Sequence, residues 1–89
     1  MSAKRQKLLK EISERLKTVR KRNYLTIEQM RRRLGVSRDC YYKNEIGSTM
    51  PALEVLEVFR REFDISVEWL LFGQEPMNLS ELGRQEQSG

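Results

Sequence analysis

The side chains able to do chemistry in this chain are overwhelmingly cations. Of the 17 Lys and Arg in 89 residues, 14 fall in residues 1–43, against four acids there (Glu11, Glu14, Glu28 and Asp39). Residues 44–89 reverse the balance, with 3 Lys or Arg against 9 acids. The two halves therefore present opposite fields, and a basic half is the electrostatic footprint of a polyanion partner. A solvated helix face gives a similar charge run, so charge alone does not decide the partner. Other chemistries fare worse. With no histidine and one cysteine, Cys40, neither a His-based triad nor a thiolate or imidazole metal site can be assembled. The expectation is no enzyme, no cofactor and no small-molecule substrate, with Cys40 a small packing residue rather than a redox switch.

The cations must be held by something, and Leu25 to Gly47, LTIEQMRRRLGVSRDCYYKNEIG, carries two sets of helix-boundary signals. Thr26 with Gln29 three residues on has the capping-box spacing, and Leu25 is placed to staple onto Met30. Ser37 can cap a second helix, with Val36 before it and Tyr41 placed to receive it. Gly35 lies between them, where a left-handed residue is needed. Helix, glycine turn and short capped helix make a helix-turn-helix layout.

The remaining chain supplies the support. Leu9, Ile12, Leu16 and Val19 form one stripe of an amphipathic helix over 7–22, with Lys10, Lys17 and Lys21 on its other face. Helices follow over 27–34, with Ile27, Met30 and Leu34 inward, and over 38–45, anchored by Tyr41. A helix over 51–63, with Pro51 in its first turn, should bury Leu53, Leu56, Phe59 and Phe63, with Val55 and Val58 widening the face. Ser66 caps a short helix over 67–72 that ends at Gly73. The chain then turns polar, and most of residues 74–89 are expected to be a mobile tail, with Leu79 and Leu82 spaced for a short amphipathic turn. No strand pattern appears. One all-α domain follows, five helices over 7–73 with a basic arm over 1–6. No apolar run of spanning length exists, MSAKRQKLLK lacks a signal segment, and the single cysteine suits a reducing cytoplasm.

With these helices placed, the sequence resembles the Cro/CI-type (XRE-like) helix-turn-helix family of phage and bacterial repressors over roughly residues 12–73. The likeness rests on Leu16 and Arg20, LTIEQM, LGVS, the Glu45-x-Gly47 ending, Pro51, the Leu53/Leu56/Phe59 stripe and ISVEWLLFG. It implies a five-helix lambda-repressor-like fold whose third helix enters the major groove of double-stranded DNA. Carried over position by position, Ser37, Arg38, Asp39, Tyr42 and Lys43 read or neighbour base edges. Arg38 is suited to guanine O6 and N7, and Asp39 to a cytosine amino group; a carboxylate in a first helical turn also simply favours the helix dipole. Thr26, Ile27, Arg32, Ser48 and Thr49 are the implied phosphate contacts. Arg20 and Glu45 would form a partly buried pair fixing the reading helix. Trp69 and Phe72 match the region through which relatives dimerise, although Trp69 also suits closing the core.

Two positions depart from the family pattern. Arg31 stands where a small residue, usually alanine, lets the third helix pack closely, so its head must snorkel outward. Asn44 replaces an apolar or aromatic residue, which shifts the anchoring of that helix onto Tyr41. Ile27 also replaces the usual glutamine, so a side-chain contact to DNA is lost there. The implied function is a sequence-specific repressor, dimeric on a two-half-site operator. The alternatives are a protein-interaction module, an antitoxin or adaptor on the same scaffold, and a membrane-surface helix over 4–22, which the core needs of Leu9 to Val19 oppose.

Overall fold

The computed structural model describes residues 2–82. Five helices follow in order, α1 (Ala3–Arg22), α2 (Ile27–Leu34), α3 (Arg38–Glu45), α4 (Leu53–Phe63) and α5 (Val67–Phe72), and a last helical turn covers 79–82. α1 is the spine: α3 and α5 both pack on it, and α2 closes against α3 and α4. Leu9, Ile12, Leu16 and Val19 are all buried, as their helical spacing requires. Ile12, Leu16 and Val19 meet Met30, Leu34, Tyr41, Val55, Leu56, Val58, Phe59, Ile65 and Leu70 in one core.

The structure changes four expectations. First, α1 begins at Ala3, where the Ser2 side chain accepts from the Arg5 amide at 3.1 Å. The basic arm over 1–6 is therefore largely the opening turn of α1. Second, Pro51 precedes α4 instead of opening it. It is buried ahead of Ala52, an N-cap that makes no side-chain cap hydrogen bond. Third, Leu53 is 77% exposed, and the buried stripe is Val55, Leu56, Val58 and Phe59. Six residues before Phe59, Leu53 lies about a third of a turn round the axis from it.

The fourth concerns the tail, whose residues 74–82 fold back on the α4–α5 corner. The Ser66 amide donates to the Met77 carbonyl at 2.8 Å and the Leu79 amide to the Asp64 carbonyl at 2.9 Å. Ile65 and Asn78 make an isolated antiparallel bridge, and Met77 packs on the core. Asp64 ends α4 in a left-handed conformation, φ 58°, and its carboxylate accepts from both the amide and the hydroxyl of Ser80. Residues 83–89 of the expected tail lie outside the described residues.

Candidate nucleic-acid interface

The site is built from α2, its turn and α3. Thr26 and Gln29 form a reciprocal capping box, each side chain satisfying the other's backbone amide at 3.1 and 2.9 Å. Gly35 adopts φ 74°, and the amides of Gly35 and Val36 return to Arg32 and Arg31 carbonyls at 3.2 Å. Ser37 then starts α3, its hydroxyl accepting from the Cys40 amide at 3.0 Å. After α3 the chain leaves through Gly47, φ 78°. A β-carbon there would sit 3.3 Å from the Lys10 Cα and 3.4 Å from the Leu9 carbonyl, so a bare backbone is what lets this loop press onto α1.

The inner side of α3 is polar as well as apolar. Tyr41, Asn44 and Glu45 are its buried residues. Arg20 on α1 donates through Nε and Nη2 to the two Glu45 carboxylate oxygens at 2.6 and 3.0 Å, and its Nη1 reaches the Leu25 carbonyl at 2.9 Å. Three elements thus converge on one guanidinium. The Glu45 hydrogen bond holds the Arg20 guanidinium above its ordinary pKa, more than burial lowers it. Burial, reinforced by the Glu45 carboxylate, pushes the Tyr41 phenol well above its ordinary value, so it stays neutral. Asn44 donates to the Thr49 hydroxyl and carbonyl at 3.0 and 3.3 Å. It is therefore a second anchor for α3, one that ties in the following loop, and Tyr41 does not carry the anchoring alone.

The outer side of α3 presents Ser37, Arg38, Asp39, Tyr42 and Lys43, all exposed. Asp39 and Lys43 pair across one turn at 3.1 Å, whereas Arg38 takes part in no ion pair among the described residues. Around them lie the expected backbone contacts. Thr26 is exposed at the α2 N-terminus, Ile27 is half-buried against the core, and Ser48 and Thr49 are exposed in the loop after α3. The Ser48 amide is committed to the Lys43 carbonyl at 3.0 Å, leaving its hydroxyl as the group that faces out.

The three consecutive arginines separate. Arg31 snorkels from the α2–α3 joint to Glu28 at 2.5 Å, and Arg32 meets the same carboxylate at 2.9 Å. Hydrogen bonding from Arg31, with a further contribution from Arg32, holds the Glu28 carboxyl below its ordinary range. Arg33 turns toward α4, 3.5 Å from Glu62 and stacked over Phe63 at 5.0 Å. Capture of Arg32 by Glu28 was not read from the sequence, although the i, i+4 spacing was its signal.

Trp69 and Phe72 also part ways. Trp69 is half-buried against the core, while Phe72 is 71% exposed. Phe72 stands beside a shallow apolar groove of about 290 Å³ lined by Leu8, Leu9, Ile12, Met50 and Leu71.

A family model described as a helix-turn-helix domain matches residues 11–62. The chain belongs to the helix-turn-helix family, in its XRE-like branch. It is similar to two proteins of Bacillus subtilis (strain 168) named as uncharacterized HTH-type transcriptional regulators. YobD is 34% identical over 58 residues, 65% of this chain and 52% of that protein. YqaE is 37% identical over 62 residues, 70% and 53% of the two chains. It is also similar to the HTH-type transcriptional activator BcrR of Enterococcus faecalis, 35% identical over 71 residues, 80% of this chain and 35% of BcrR. The helix-turn-helix chain spans about half the length of the two Bacillus relatives and about a third of BcrR. No solved structure gives a significant match. Among the described residues no helix is long and apolar enough to cross a membrane.

Proposed function

We propose that this helix-turn-helix protein is a sequence-specific DNA-binding transcriptional regulator, a repressor that binds a two-half-site operator as a homodimer. One observation carries the reading. α3 turns Arg38, Asp39, Tyr42 and Lys43 outward while Arg20, Glu45 and Asn44 clamp its other side to α1 and to the Ser48–Thr49 loop. A reading helix must arrive in the major groove at one angle, and this clamp supplies it. Arg38 takes guanine O6 and N7, and Lys43 and Asp39 read farther along the groove as their exposed mutual pair opens. The amides of Ile27 and Glu28 at the α2 N-terminus, with the Ser48 and Thr49 hydroxyls, hold backbone phosphates on either side. Arg32 joins them only when it leaves Glu28.

Dimerisation is supported by Phe72, a large apolar side chain left open beside an apolar groove. Half-sites about one helical turn apart would be bridged by such a contact. Repression follows from occupancy of promoter DNA by the dimer; BcrR, by contrast, is named an activator.

Selection of bound sites from a random duplex pool, followed by salt titration on the selected site, tests the reading. A palindromic site is expected. Its affinity should fall by roughly 10³ to 10⁵ between 50 and 200 mM salt if 6–10 phosphates are neutralised. Weak, salt-independent binding with no enriched sequence would refute it and favour a protein partner for α3.

A further inference from the structure

Asn44 is 2% exposed, yet its side chain is committed to a residue at the surface. Its Nδ2 donates to the Thr49 carbonyl at 3.3 Å and to the Thr49 hydroxyl oxygen at 3.0 Å, and Thr49 is exposed. The carbonyl fixes which way the amide is turned, since only an N–H can donate to it. In the second bond, therefore, the Thr49 hydroxyl is the acceptor. The other half of the amide is unpaired: Asn44 Oδ1 finds no donor among the described residues. That buried oxygen offsets part of what the two donated bonds contribute, so fold stability alone is a weak account of an amide at this position.

What Asn44 does to Thr49 is specific. The Thr49 amide is directed to the Lys43 carbonyl at 3.4 Å, and both its carbonyl and its hydroxyl oxygen receive Asn44. A hydroxyl also has one hydrogen to give, and an amide nitrogen has no lone pair to take it. The hydrogen must turn away from Asn44, so Thr49 is set as a donor at the surface. Its place is set as well. The Ser48 and Thr49 amides both return to the Lys43 carbonyl, at 3.0 and 3.4 Å, which folds the loop onto the last turn of α3. Lys43 belongs to the outer side of that helix, so the donor stands next to the reading side chains.

We propose that Asn44 is a positioning residue for recognition of the DNA backbone, holding the Thr49 hydroxyl as a donor to a phosphodiester oxygen beside α3. This rests on the DNA-binding reading above, in which Thr49 holds a phosphate, and adds the group that orients it. A neutral donor releases no counterion, so it adds affinity on every duplex without steepening the salt dependence.

The test compares the parent, Thr49→Val, Thr49→Ser, Asn44→Leu and the double variant Asn44→Leu/Thr49→Val. Fluorescence anisotropy is read on the duplex selected by the parent and on random duplex, from about 50 to 200 mM salt. Thr49→Val should bind about tenfold more weakly, and Thr49→Ser, which keeps the hydroxyl, nearly as well as the parent. Asn44→Leu should lose several-fold, equally on both duplexes and with an unchanged salt slope. The double variant should bind no more weakly than Thr49→Val, because Asn44 acts through that hydroxyl. Where leucine prevents folding, Asn44→Ala removes the same donor without adding bulk. Parental affinity in Thr49→Val overturns the contact. Additive losses, or an Asn44 variant that loses affinity on the selected duplex alone, would show that Asn44 acts through the pose of α3 and overturn the positioning role. Failure of the parent to bind any duplex would instead overturn the DNA reading and this contact with it.

Discussion

Arg20 grips both carboxylate oxygens of Glu45, at 2.6 and 3.0 Å, and in the same fork holds the Leu25 carbonyl at 2.9 Å. The end of the reading helix and the entrance to α2 are therefore set by one side chain of α1. Glu45 is 2% exposed, so removing its partner leaves a charge that water cannot reach. Arg20→Ala and Glu45→Ala should each lose about 3 kcal/mol, lowering the melting temperature by roughly ten degrees or more. Thermal unfolding followed by circular dichroism checks this. A loss of less than about 1 kcal/mol would show that the pair does not set the joint.

Residues on the outer side of α3 should behave oppositely. Arg38→Ala removes a side chain that makes no ion pair among the described residues, so stability should hold within about 0.5 kcal/mol. DNA discrimination should fall by about 1–3 kcal/mol at one base position only. Lys43→Ala breaks an exposed pair worth little to the fold and should cost affinity without destabilising. Binding measured on a panel of single-base operator variants separates the two effects.

How far such sites can be read from sequence depends on how local their causes are. Thr26 with Gln29, Gly35 and Ser37 act within four residues of chain, and the caps they make are the ones that their spacing announces. The α1 stripe is legible for the same reason: a period of 3.6 needs no knowledge of the partner helices. Leu53 and the 74–82 return were illegible because their burial depends on what stands opposite. A short polar segment looks mobile until a left-handed Asp64 offers it a carbonyl and a carboxylate. In the site, Arg32 was legible as a cation but not as one already engaged.

The Asp64 clamp makes a separable prediction. Asp64→Ala removes the acceptor for the Ser80 amide and hydroxyl and puts a β-carbon without a local hydrogen bond at φ 58°. Stability should fall by about 1–2 kcal/mol. Asp64→Asn, which tolerates the left-handed region and keeps an acceptor, should retain most of it. Hydrogen exchange at the Ser66 and Leu79 amides, which donate across this corner, should accelerate in the alanine variant alone.

The last prediction concerns charge that the fold withholds. Glu28 stands in the first turn of α2, where a phosphate would bind, and its carboxylate occupies both Arg31 and Arg32. Its carboxyl is held below the ordinary range chiefly by the Arg31 hydrogen bond, so protonation frees the two arginines only as pH falls through that lowered value. Substitution reaches the same state at neutral pH. Glu28→Gln keeps the shape of the turn, removes a negative charge beside the phosphate site and leaves Arg32, 70% exposed, able to swing outward. Affinity for duplex DNA should rise several-fold, and the salt slope should steepen by about one phosphate. Because an uncharged glutamine adds no base contact, the fold-gain should be equal on selected and random duplex, leaving the specificity ratio unchanged. An unchanged slope would mean that Arg31 and Arg32 cannot reach the backbone from α2, and that the phosphate grip lies in the helix amides and the Ser48–Thr49 loop.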